Sequence, residues 1–139
     1  MTPRAKIRSI LRIVARAGGV RVQDILGHGL DRRVVAARQV AHVLVAKHLG
    51  ITGPTALGRA FNRDHSTVIN SFLAIERALA KGDTPKAVLY RTAEAKIAAV
   101  VIGPLAPHAE LTDGFRQARK KHMHDAGYID PQGNIICNP

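Results

Sequence analysis

The sequence predicts an all-α fold, a helix-turn-helix bundle of about five to six helices, from three observations. Apolar residues recur at helical spacing through most of the first hundred positions. Helix start and stop signals bracket those stretches. The one β-prone stretch lies at the far end of the chain, where a small carboxy-terminal hairpin is compatible with the pattern.

The elements follow in order. Thr2-Pro3 is a cap-then-proline start, and Ile7, Ile10, Leu11, Val14 and Ala15 make one apolar stripe up to the Gly18-Gly19 stop. Arg4, Arg8, Arg12 and Arg16 recur every fourth position along the opposing side. A short helical turn is expected over 22–26, then a loop from Gly27-His28-Gly29 into Asp31-Arg32-Arg33. Residues 34–49 form the best amphipathic helix, with Ala37, Val40, Ala41, Leu44, Val45 and His48 near one stripe and Gly50 as its stop. A short helix is expected over 55–61, a turn at Asn62-Arg63, and a longer helix capped by Asp64 and running to about Ala80. Lys81-Gly82-Asp83 breaks it, and Thr84-Pro85 starts a helix to about Val101. Gly103-Pro104 marks a composition break, so the chain divides into a domain over 1–102 and an extension over 103–139. The extension is expected to hold a helix over 112–125 and the hairpin near its end.

Charge narrows the function. The chain has 139 residues and a formal net charge of +11, with aromatics at 4% and no Trp. Residues 1–50 hold ten Lys/Arg against Asp24 and Asp31, whereas residues 101–139 hold four of each sign. Positive charge gathered in one half of a chain is the footprint of a polyanion-binding surface. Few aromatics leave little to stack on unpaired bases, which favours a duplex over a single strand. One cysteine, Cys137, excludes an intrachain disulfide framework. Without a signal-peptide pattern or a long apolar run, a reducing, cytoplasmic and nucleoid-associated location is expected, with no membrane partner.

The chemistry concentrates at residues 55–80: short helix, tight turn, longer helix with a polar first turn. The amino-terminal end of such a helix can enter the major groove, where its unpaired N–H groups and dipole favour phosphate. Asp64 can accept from a cytosine amino group, His65 can donate or accept, and Ser66 and Thr67 can do either. Asn70 lies a turn further on, within reach of a base or a phosphate. Taken alone, Asp-x-Ser-Thr is also an ordinary helix cap; the short preceding helix and the basic segment upstream favour the DNA reading.

The run Gly58-Arg59-Ala60-Phe61-Asn62-Arg63-Asp64-His65-Ser66-Thr67-Val68-Ile69 resembles the signature of the carboxy-terminal DNA-binding domain of DnaA, the bacterial chromosomal replication initiator. Val22-Gln23-Asp24-Ile25-Leu26 and Val35-Ala36-Ala37-Arg38-Gln39-Val40-Ala41 are similar to its upstream segments, in the same order. The resemblance implies base reading in the major groove by Asp64, His65 and Ser66, with Thr67 holding phosphate or backbone. It implies an arginine from the basic loop in the adjacent minor groove, Arg32 or its neighbour Arg33. Arg38 is expected on phosphate, and Arg63 on either. The sequence departs from the family pattern in three places. Ala37 stands where the family has Pro, only Asn62 separates Phe61 from Arg63, and Leu30 aligns with the minor-groove arginine.

No Gly-x-x-x-x-Gly-Lys-(Ser/Thr) loop occurs, so ATP hydrolysis is not expected, and the reading is of a stand-alone DNA-binding domain without the ATPase domain. No cofactor and no metal are expected: His122 and His124 are two positions apart and diverge on a helix. Arg119-Lys120-Lys121 offers either a second phosphate contact or an exposed basic face. No nucleophile or paired carboxylate accompanies Asp64 and His65, so no enzymatic activity is expected. The function expected is sequence-specific binding of double-stranded DNA by a regulator of replication initiation or transcription, acting at initiator-type sites, with the host replication initiator as a further partner and a phage or other mobile element as a fitting source. Two alternatives stay open: a phage packaging protein similar to a terminase small subunit, and a protein-interaction adaptor on the same fold.

Overall fold

A computed structural model describes residues 2–51 and 53–100, together with residue 117. The expectations for the helix over 112–125, the terminal hairpin, Arg119-Lys120-Lys121 and Cys137 lie outside these residues. Among the described residues six α-helices carry the fold: α1 (Pro3–Gly18), α2 (Val22–Leu26), α3 (Arg32–Leu49), α4 (Pro54–Phe61), α5 (His65–Lys81) and α6 (Pro85–Val100). The all-α helix-turn-helix architecture is as the sequence predicts, and the helix ends agree within two residues.

Local chemistry sets those ends. Thr2 Oγ1 accepts from the Ala5 amide at 3.1 Å, starting α1. Gly19 and Gly50 adopt left-handed φ of 67° and 69° at the ends of α1 and α3, a conformation that glycine adopts at little cost. Thr84 Oγ1 accepts from the Ala87 amide at 3.2 Å at the start of α6. Within the helix-turn-helix, the Arg63 amide donates to the Gly58 carbonyl at 2.8 Å, and Asn62 takes a left-handed φ of 52°. A Cβ at Gly58 would lie 2.6 Å from the Arg63 carbonyl oxygen, so this tight turn requires glycine.

The core is assembled around α3, which packs against α1, α2, α4, α5 and α6. Ile10, Val14, Ile25, Leu44, Val68 and Ile97 are among its fully enclosed side chains. The segment from 34 to 49 is not a one-sided amphipathic helix: Val43 and Ala46 are buried along with the expected stripe, and so are Arg38 and His42. After Arg32 and Arg33 no residue of α3 is fully exposed, and its buried polar residues must find partners inside. Among the described residues no single helix is long and apolar enough to cross a membrane.

Candidate nucleic-acid interface

Two helix starts built alike form the candidate interface. At α5, Asp64 Oδ2 accepts from the Ser66 amide at 3.2 Å and from the Ser66 hydroxyl, while Oδ1 lies 3.4 Å from His65 Nδ1. The Ser66 hydrogen bonds hold the Asp64 carboxyl below its usual range. The Asp64 and His65 side chains are 63% and 49% exposed, so this turn is presented to solvent. Ser66 and Thr67 are partly buried, and Asn70 is exposed one turn further on. Val68, Ile69, Phe72 and Ile75 face inward and anchor the helix.

At α3, Asp31 Oδ1 accepts from the amides of Arg33 and Val34 at 3.0 and 3.4 Å. Arg32 and Arg33 follow at once and are exposed. Leu30, just before the Asp31 cap, is 87% exposed.

Arg63 links the two starts. Its Nη1 lies 2.6 Å from His28 Nδ1, and its Nη2 donates to the Leu26 carbonyl at 3.5 Å. A guanidinium can only donate, so His28 Nδ1 is the acceptor in this contact. The turn before α5 is thereby tied to the loop before α3. Nothing in the sequence pairs these two residues, although Gly27-His28-Gly29 places a polar ring on a loop with freedom to present it.

Arg38 is placed differently from the phosphate contact expected of it. It is buried, with Nε donating to the Ile25 carbonyl at 3.0 Å, Nη1 to Gly29 at 3.0 Å and Nη2 to Asp24 at 2.8 Å. Its planar fork gathers carbonyls from the end of α2 and the following loop. The guanidinium therefore fixes the path of the basic loop from beneath, and burial rather than salt-bridge formation governs its surroundings.

A second internal clamp stands behind α5. His42 Nδ1 lies 2.7 Å from Ser71 Oγ, and Ser71 Oγ donates to the Thr67 carbonyl at 3.1 Å. With the one hydroxyl hydrogen placed on Thr67, His42 Nδ1 must be the donor and Nε2 carries no proton. Among the described residues His42 Nε2 is buried without a partner, and the ring meets Phe61 edge-on at 4.4 Å. Burial first, then Arg63 and Arg38, push the His42 pKa down to about 3, which keeps the ring neutral. The visible signal in the sequence is Ser71, a polar residue on the inward stripe of Val68, Phe72 and Ile75.

The sites thus bring together Asp64, His65, Ser66, Thr67 and Asn70 on one helix, and Arg32 and Arg33 on another, with Arg63 joining them. Residues 7–75 match the family model described as bacterial DnaA protein helix-turn-helix. Over 74 residues, 53% of this chain, the sequence is 40% identical to the chromosomal replication initiator protein DnaA 1 of Chlamydia muridarum. It is 39% identical over 74 residues to DnaA 1 of Chlamydia trachomatis, and 36% identical over 76 residues to DnaA 2 of Protochlamydia amoebophila. The chain spans only 16 to 17% of the length of these relatives. No solved structure matches it significantly.

Proposed function

We propose, from the premise that residues 7–75 belong to the bacterial DnaA helix-turn-helix family, that the chain binds double-stranded DNA and selects its sequence through the first turn of α5. His65 and Ser66 are the base-reading residues in this proposal, with Asp64 both capping the helix and accepting from a base. Arg32 enters the adjacent minor groove and Arg33 supports it on phosphate, while Thr67 and Asn70 fix the depth of the helix. Arg63 keeps the two contacts in register through His28, and Arg38 acts from below as a positioning residue. The observation that carries the reading is the pairing of two exposed, Asp-capped helix starts, one polar and one basic, tied to each other by Arg63 and His28.

The biological role in this proposal is control of replication initiation at sites like those of the initiator. The similarity to chromosomal replication initiators supports it. Selection of bound duplexes from a random pool tests it. The expected result is one enriched site whose affinity exceeds that of random DNA by at least about a thousandfold at physiological salt. Uniform affinity across the pool, varying only with salt, would contradict it.

A further inference from the structure

A trough runs across the face formed by α3, α5 and α6, and the DNA reading uses none of its lining beyond the arginines at the start of α3. One cleft, of 710 Å³, has a floor of Val35, Ala36, Ala74 and Ala78, with Leu30 at its edge. Its rim carries Arg32, Arg77, Lys81 and Lys86, and among the described residues no carboxylate lines it. A second cleft, of 580 Å³, shares Arg32, Ala36, Pro85 and Lys86 with the first and continues over Ala17 and Leu89 toward the end of α1. Asp31, the one carboxylate among the described residues there, caps α3. Leu30 and Val88, at 87% and 48% exposure, leave apolar surface open along the trough.

Among the described residues, no hydrogen bond or ion pair engages the side chains of Arg32, Arg77, Lys81 or Lys86. Lys86 is partly buried, and burial together with the neighbouring Arg77 pulls its ammonium below the ordinary lysine range. Thr84, the other polar residue of the first cleft, already caps α6 and donates to the Ala78 carbonyl. Phosphates alone would satisfy the rim and leave the apolar floor uncovered. A helix with carboxylates flanking an apolar stripe would cover both.

We propose that this trough docks an acidic, amphipathic segment of a partner protein, its apolar side chains on Val35, Ala74 and Ala78 and its carboxylates on Arg77, Lys81 and Lys86. The test uses the full chain and a labelled peptide of about 18 residues, with Leu at helical i, i+3, i+4 spacing and Glu elsewhere. A control peptide replaces each Leu by Ser at unchanged charge. Fluorescence anisotropy is expected to show saturable binding of the Leu peptide and binding of the Ser peptide weaker by about tenfold or more. The Arg77→Glu/Lys86→Glu variant is expected to lose the Leu peptide by a similar factor while its affinity for the selected duplex changes by less than about threefold. Should that variant melt below the wild type, Arg77→Gln/Lys86→Gln serves in its place. Equal binding of the two peptides, absence of saturation, or indifference to the variant would overturn the proposal. So would an equal loss of peptide and duplex, which would assign the rim to the DNA backbone.

Discussion

The starts of α3 and α5 solve one local problem in the same way and then part company. Each is capped by an aspartate that accepts from the amide two residues on, which satisfies backbone donors that no helix can satisfy itself. After the cap, α3 continues with Arg32-Arg33 and α5 with His65-Ser66. The cap decides where a helix begins, and the residues just after it decide what the helix can recognise. Their internal supports differ as well. Behind α3's start stands Arg38, a permanent cation holding three carbonyls. Behind α5's start stands His42, neutral and titratable, acting through Ser71 on the Thr67 carbonyl.

The largest test of this contrast is removal of Arg38. Arg38→Ala leaves the Ile25, Gly29 and Asp24 carbonyls without their donor, and a stability loss of about 3 kcal/mol is expected in denaturant titration. Binding to every duplex should weaken together, because the loop that carries Arg32 loses its support. A variant of unchanged stability that bound DNA less well would restore Arg38 to the phosphate.

Acid should separate the two supports. The folded His42 pKa of about 3 lies below the ordinary histidine value of 6.5. The unfolded chain therefore takes up the proton first, and stability is complete above about pH 6.5 and falls as the pH drops toward 3. His48, also lowered by burial, adds to the fall with the same sign. Hydrogen exchange between pH 7 and 5 should show the first turn of α5 losing protection before that of α3, and His42→Gln should flatten the stability profile.

His65→Ala comes next, with an expected loss of about 1–3 kcal/mol on the selected site and little on random DNA. Arg33→Ala, which removes the phosphate support, should weaken binding to all duplexes less steeply and lower the salt slope by about one unit. The smallest effect distinguishes the caps. Asp31→Ala and Asp64→Ala should lower the melting temperature by similar small amounts, yet only Asp64→Ala should alter which sequence is enriched in selection. A shift in preference from both would mean that the cap acts by orienting the helix alone.

Much of this arrangement was visible in the sequence because its determinants are local. Thr2-Pro3, Asp64 and Thr84-Pro85 act on amides two or three residues away, so their helices could be placed from spacing. The first turn of α5 stood out for the same reason. The supports were hidden because their partners are distant in sequence: Arg38 reaches back to Asp24, His42 forward to Ser71, and Arg63 back to His28. An arginine at the start of a helix suggests solvent or phosphate until the neighbouring loop is seen to fold over it. The burial of Arg38 and His42 was obscured in the same way, since they gave α3 an apparently polar face.

The most direct measurement is the affinity of the wild type and His65→Ala for every single-base-pair variant of the selected site. If the polar turn of α5 reads bases, the wild-type penalties form a short block of sensitive positions, and the substitution abolishes discrimination at one or two adjacent pairs within it. Penalties spread evenly along the site, or a pattern that survives the loss of His65 unchanged, would contradict the account.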